Sequence, residues 1–526
     1  MTKLHRAAVI LAVVLSSCST PDDLAYSGRP VGSSEAAYTG SPKATGSAEA
    51  PIPSGSASTG GAGENPVAVE NGQAGSAGWQ LLQSGHRVSD DTNQQIKGFA
   101  SAVSVNKGES LTLYVTVNPA QTYTVAIYRI GWYDGMGGRL MAETDDLAGI
   151  SQPACPMDEA TGLLACLNWE PGYTIEVPDG WTSGIYIAML TNEESFQDPV
   201  TFVVRDDARD ADLLYQQSVT TYQAYNNYPA GAGKSLYPAT SSGPDTIGGD
   251  PRAVAVSFDR PYTSDRNGGA GDLYRWEIYM VRWLERSGYD VAYTTNVDTH
   301  ANGARILGYS GFLSVGHDEY YSKEMYDALE AARDSGVGLG FFGANAVHWQ
   351  VRFEPSSDGA PNRVMVCYKL PDIDPVTDPA LKTIRWRSAL VDRPEQRLIG
   401  IQSDIVSGNE SSLVVVNSDH WIYEGTGFSD GSAVPDIVHH EADAAMPEYP
   451  VPDSVTYTLV AESPFGGKTQ NSVIYQAPSG AWVFGAGTIG WSWGLDDWNG
   501  INFADEGIQR TTKNVLDAFI QSPVQP

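Results

Sequence analysis

The sequence predicts two folded parts of different class, an all-β sandwich followed by an α/β domain with a parallel sheet and flanking helices. Three observations carry this. Between 78 and 205, short segments alternate apolar and polar residues with turn residues between them. After the acidic stretch 206–212, strand-like runs alternate with helical ones. At 311–322 (GFLSVGHDEYYS) a glycine-bounded apolar run meets three ionisable residues and then a helix start, the arrangement by which open α/β sheets place ligands at strand carboxyl ends.

In the first part, 110–117 (SLTLYVTV), 123–128 (YTVAIY), 173–177 (YTIEV), 184–190 (GIYIAML) and 200–204 (VTFVV) carry β-branched or aromatic residues at period two. So many strands in one such stretch predict an immunoglobulin-like sandwich. Trp132, Tyr133 and Trp181 are the aromatics there that could stack on a sugar ring, although packing is the commoner role. In the second part, 212–215, 253–258, 291–293, 311–315 and 338–342 read as strands of one parallel sheet. Residues 272–287 keep Leu273, Trp276, Tyr279, Met280, Trp283 and Leu284 on one helix face and stop at Gly288. Ser322 caps a helix over 323–335, and 382–494 forms a β-rich extension before a final helix over 508–520.

The amino terminus reads differently. Lys3 and Arg6 precede an apolar run too short to span a bilayer, which leads into Leu15-Ser16-Ser17-Cys18. This resembles a bacterial lipoprotein signal peptide over 1–17, which implies lipidation of Cys18, export and a membrane anchor in the cell envelope. Residues 18–77, rich in Gly, Ser, Ala and Pro, read as a flexible linker. A formal charge of −31, from 63 acidic and 32 basic residues, argues against nucleic acid as a partner. Cys155 and Cys166 flank a short loop and are expected to form a disulfide, while Cys367 in an apolar run reads as an inert buried thiol.

His317, Asp318 and Glu319 are the catalytic candidates, because the predicted turn holds them at a strand's carboxyl end. Beyond that turn, 221–227 (TYQAYNN), 257–262 (SFDRPY), 314–322 (SVGHDEYYS), 342–354 (FGANAVHWQVRFE) and 485–495 (GAGTIGWSWGL) together resemble the large (beta) subunit family of N,N-dimethylformamidase, in particular its carboxyl-terminal domain. The stretch 128–133 (YRIGWY) resembles the sandwich that accompanies it. The resemblance implies a class I glutamine amidotransferase-like fold over 206–526, without that fold's cysteine, since the turn offers Gly316-His317-Asp318-Glu319. It also implies one iron per chain, as Fe3+, held by two tyrosines and a glutamate. By motif these are Tyr225, Tyr262 and Glu319, with His317 moving protons; Tyr222 is the nearest rival ligand.

Hard oxygen donors suit such an oxophilic ion, which would polarise an amide carbonyl of a small-molecule substrate. Asn227, Asn345 and His348 are candidates for lining the substrate pocket, and Arg352 reads equally as a loop staple. His439-His440-Glu441 reads as structural, since adjacent strand residues face opposite ways. The expected activity is therefore metal-dependent hydrolysis of an amide-like C–N bond by a lipid-anchored enzyme. A homo-oligomer is compatible with this reading, whereas a small-subunit partner is in doubt for a chain with a lipid anchor and few insertions. A non-catalytic surface protein binding a glycan or envelope component is the alternative. A metal-free acid/base hydrolase using His317 with Asp318 or Glu319 is a third.

Overall fold

The computed structural model describes residues 64–521, apart from 82, 84, 239–251, 265–270 and 407–409. Cys18, the apolar leader and most of the proposed linker lie outside the described residues. The folded part begins earlier than position 78. A short helix, Pro66–Asn71, is capped by Asn65 and buries Val67, and Glu70 accepts hydrogen bonds from Tyr133 and Arg139. Residues 66–77 therefore form docked structure, because one apolar and two polar anchors offset the ordering cost that composition alone suggests.

The first part consists of two facing sheets. Strands Lys97–Ala100, Ser110–Thr116 and Pro171–Glu176 form one, and a larger sheet centred on Thr122–Ile130, Gly184–Asn192 and Phe196–Arg205 forms the other. The alternating Leu111, Leu113 and Val115 meet Val125, Ile127, Tyr186, Leu190 and Phe202 in a common core. Cys155 and Cys166 are disulfide-bonded, with Cα atoms 4.5 Å apart. Tyr133 and Trp181 are buried and Trp132 packs under Arg282 and Arg286, so these rings are packing elements and not an exposed sugar platform.

The second part is built on a seven-stranded sheet in the order Val291–Thr295, Leu213–Gln217, Gly311–Gly316, Gly338–Gly343, Trp482–Gly485, Lys468–Gln476, Thr456–Phe465. The first five are parallel, and the last two add antiparallel. Every residue of the first four is buried, which is why they read as mainly apolar runs, with Gln216, Gln217, Thr294 and Thr295 at the carboxyl ends of the first two. Helix Lys323–Asp334 starts at Ser322, whose hydroxyl accepts from the Met325 amide. The run predicted at 272–287 is a π-turn, Leu273–Glu277, continuing as the α-helix Ile278–Arg286.

One expected strand lies elsewhere. Ala255–Ser257 belongs to a separate four-stranded sheet with Val364–Val366, Trp349–Glu354 and Tyr320–Ser322, where it pairs antiparallel with Val364–Val366. Its apolar side chains found a partner strand outside the main sheet. The loop after it, carrying Arg260 and Tyr262, is bonded to Asn226 at the end of helix Val219–Tyr225.

Candidate functional site

Strand Gly311–Gly316 ends on a left-handed glycine, φ 70° at Gly316, where a Cβ would lie 2.8 Å from the Cβ of Trp276. The chain then turns through His317, Asp318 and Glu319 before the short strand Tyr320–Ser322. Glu319 is fixed on both sides: its amide donates to Thr221 Oγ1 at 3.0 Å, and its carbonyl accepts from the His348 and Trp349 amides at 2.9 and 3.0 Å.

Two phenols converge on the Glu319 carboxylate. Tyr225, the last residue of helix Val219–Tyr225, donates to Oε2 at 3.2 Å. Tyr237 Oη lies 3.2 and 3.1 Å from the two carboxylate oxygens and 2.6 Å from Tyr320 Oη, and its ring stacks on Tyr225 with centroids 4.4 Å apart. With its single proton directed to Glu319, Tyr237 accepts from Tyr320. Burial and the Glu319 charge push both Tyr225 and Tyr237 well above the usual phenol range, so each keeps its proton until a cation offsets that charge.

His317 sits between carboxylates. Its Nε2 is 3.4 Å from Glu319 Oε2 and 3.4 Å from Glu441 Oε2, and its Nδ1 is 3.8 Å from Asp272 Oδ2. The two 3.4 Å contacts are charge pairings without hydrogen-bond alignment, leaving His317 Nε2 and Glu441 Oε2 as buried polar atoms with no hydrogen bond. Burial opposes the imidazolium, but the Glu441 and Glu319 carboxylates outweigh it and raise the His317 pKa well above normal. Burial would raise Glu319, but the adjoining His317 and the Lys369 charge overcome it and bring Glu319 to about 2. Lys369 lies 3.4 Å from the Tyr237 ring centroid, its Nζ buried and without a hydrogen bond. Burial lowers it to about 7 despite the pull of Glu319. Val347, Lys369 and His440 all have φ between 59° and 65°. Such strained backbone in residues with side chains gathers around functional centres.

The other sequence candidates fall in different places. Tyr262 does not reach Glu319: its ring edge meets Tyr222, centroids 6.2 Å apart, and its hydroxyl pairs with Gln223. Its strand, Ala255–Ser257, pairs outside the parallel sheet, and the loop that follows docks on Asn226 with the Tyr262 ring against Tyr222. Tyr222 bonds the buried Glu277 instead of Glu319. Asp318 points away from His317 and accepts from Gln216, Asn296, Ser314 and Tyr321, which makes it a structural hub. Asn345 is left-handed, donates its amide to Asp443 and keeps Oδ1 unpaired. Asn227 also has an unpaired buried Oδ1, and His348 is held by Arg387 and Glu395. Arg352 is a staple to Asp374. Glu441, read from sequence as structural, faces His317 from the first position of strand Glu441–Ala444, and the left-handed His440 before it separates it from His439, which pairs with Glu410.

Sequence reasoning also missed Tyr237 as a member of the site, together with Tyr320, Lys369 and Asp272. Among the described residues no group of three His, Cys, Asp or Glu side chains is arranged to hold a metal, so a metal at this turn would rest on phenol oxygens as well. No helix of the described residues is long and apolar enough to cross a membrane.

The family model described as N,N-dimethylformamidase beta subunit-like, C-terminal, matches residues 124–505. The chain belongs to this family. The match runs from within the sandwich through the whole site, so the family segment includes both parts. The N,N-dimethylformamidase beta subunits of Alcaligenes sp and Paracoccus aminophilus are each 27% identical to the chain over 225 residues, covering 36% of it. These matches span 29% of each relative's length. A solved cycloisomaltooligosaccharide glucanotransferase from Paenibacillus sp. aligns over 73% of this chain and 66% of its own at 9% identity, with a TM-score of 0.17, which supports no argument about fold.

Proposed function

We propose that this dimethylformamidase-family chain is a metal-dependent hydrolase of an amide-like C–N bond, with a single iron held by Tyr225, Tyr237 and Glu319. The observation that carries the reading is the meeting of two partly buried phenols on one buried carboxylate within 3.2 Å. The donor set fits the ion: phenols and carboxylate are hard oxygen ligands, and phenols raised by burial ionise only beside a strong cation. The unpaired Oε2 of Glu441 and Nε2 of His317 point to unmet polar capacity at the same place. When bound, the ion would polarise the substrate carbonyl and acidify a water.

The chain's own residues supply the rest. His317, charged between Glu319 and Glu441, is placed to give a proton to the departing amine, and Glu441 is placed to take one from the attacking water. Asp272 keeps the far side of the imidazole oriented. Lys369 Nζ, which makes no hydrogen bond, is suited to donate to a developing oxyanion. The class I glutamine amidotransferase-like fold, the immunoglobulin-like sandwich and the lipid anchor at Cys18 belong to the same proposal. Purified protein loaded with iron should release dimethylamine from N,N-dimethylformamide or amine from a close analogue, and lose that activity on chelation. Iron-loaded, folded protein inactive on a panel of small amides would overturn it. Activity persisting after complete chelation would point to acid/base hydrolysis without a metal.

A further inference from the structure

Behind Tyr262, a cavity of about 20 Å³ lies between the sandwich strand Lys97–Ala100 and the Arg260 loop, walled by Gly98, Ala100, Val200, Phe258, Gln223 and Tyr262. Arg260 also lines it. Its side chain is buried, 1% exposed, and donates to the carbonyls of Lys234 at 3.1 Å and Asn226 at 2.7 Å, while Nε has no hydrogen-bond partner. Among the described residues no carboxylate pairs with it. Three other buried arginines each have one: Arg129 with Glu285, Arg282 with Asp496, and Arg363 with Asp259.

We infer that this cavity is a binding site for a monatomic anion of halide size, with the Arg260 guanidinium as its positive charge. A guanidinium cannot escape burial by losing its proton: burial lowers Arg260 only to about 10, so it stays charged at neutral pH. Buried charges are paired in folded proteins, and two carbonyl dipoles leave a full charge uncompensated. Among the described residues the walls are mostly apolar and carry no acid that would repel an anion. The small water-accessible volume favours a monatomic anion over sulfate, phosphate or carboxylates. The Gln223 amide can add a neutral donor. Through Arg260 Nη2 and Asn226 O, the site is tied to the end of the helix that presents Tyr225.

Halide binding here is independent of the metal reading. Crystals of the full chain soaked in sodium bromide should give an anomalous bromine peak beside Arg260. The Tm should also be about 2–4 °C higher in chloride than in gluconate at equal ionic strength. Arg260→Met should abolish the halide-specific difference if it folds; the wild-type measurements decide the matter if it does not. A wild-type crystal with only water beside Arg260, or a Tm equal in the two salts, would overturn the site.

Discussion

Tyr225 and Tyr262 each lie a few residues beyond a short buried strand, yet they end in opposite environments. Strand Leu213–Gln217 lies inside the parallel sheet, so the helix after it is delivered to the carboxyl edge, with Tyr225 beside Glu319. Strand Ala255–Ser257 pairs in another sheet, so its loop lies between the sandwich and the end of that helix, with the Arg260 guanidinium at hand instead of a carboxylate. A tyrosine's chemistry is thus assigned by the sheet its strand joins, more than by its local motif. The neighbours Asp318 and Glu319 repeat the lesson one residue apart: the first is saturated by four structural donors, the second faces the phenols.

The contrast is open to direct attack. Glu319→Ala should lose bound iron and all amide hydrolysis, read by elemental analysis and amine release; retained iron would break the contrast at its root. The paired variants sharpen it. Tyr237→Phe should reduce kcat/KM by about 100-fold or more, as expected for a removed metal ligand, whereas Tyr262→Phe should stay within about three-fold of wild type. Equal effects would erase the distinction between the two loops.

Smaller effects belong to stability. Asp318→Asn should cost about 2–4 kcal/mol in urea unfolding, because an amide nitrogen would face donors that now meet a carboxylate, while iron content is kept. Loss of iron without loss of stability would place Asp318 in the site after all. Glu277, buried between Tyr215 and Tyr222, is raised from 4.5 to about 8 chiefly by burial. The folded state therefore holds this proton to higher pH than the unfolded chain, so the contribution is full below about 4.5 and is lost as pH rises through 8. Glu277→Gln should flatten the fall in stability over that window, measured by unfolding at several pH values; an unchanged slope would contradict it.

Much of this was legible in the sequence for a physical reason. Buried parallel strands leave mainly apolar runs, and a glycine followed by ionisable residues and a helix cap marks where such a strand delivers its chemistry, which made His317 and Glu319 readable. Tyr237 was not readable, because 228–238 (YPAGAGKSLYP) has neither periodicity nor a strand signal, so its ring counted only as packing. Glu441 and Lys369 reach the site through long-range topology in β-rich stretches, and no local spacing records which side of those strands faces His317 or Tyr237. The strand near 255 was recognisable as a strand, but an apolar run does not state which sheet it joins.

The most direct test is an anomalous difference map collected at the iron edge from crystals of iron-loaded protein. A single peak bounded by the phenol oxygens of Tyr225 and Tyr237 and the carboxylate of Glu319 is the predicted result. A peak at Tyr262, or none at the Glu319 turn in protein that retains iron, would contradict the account.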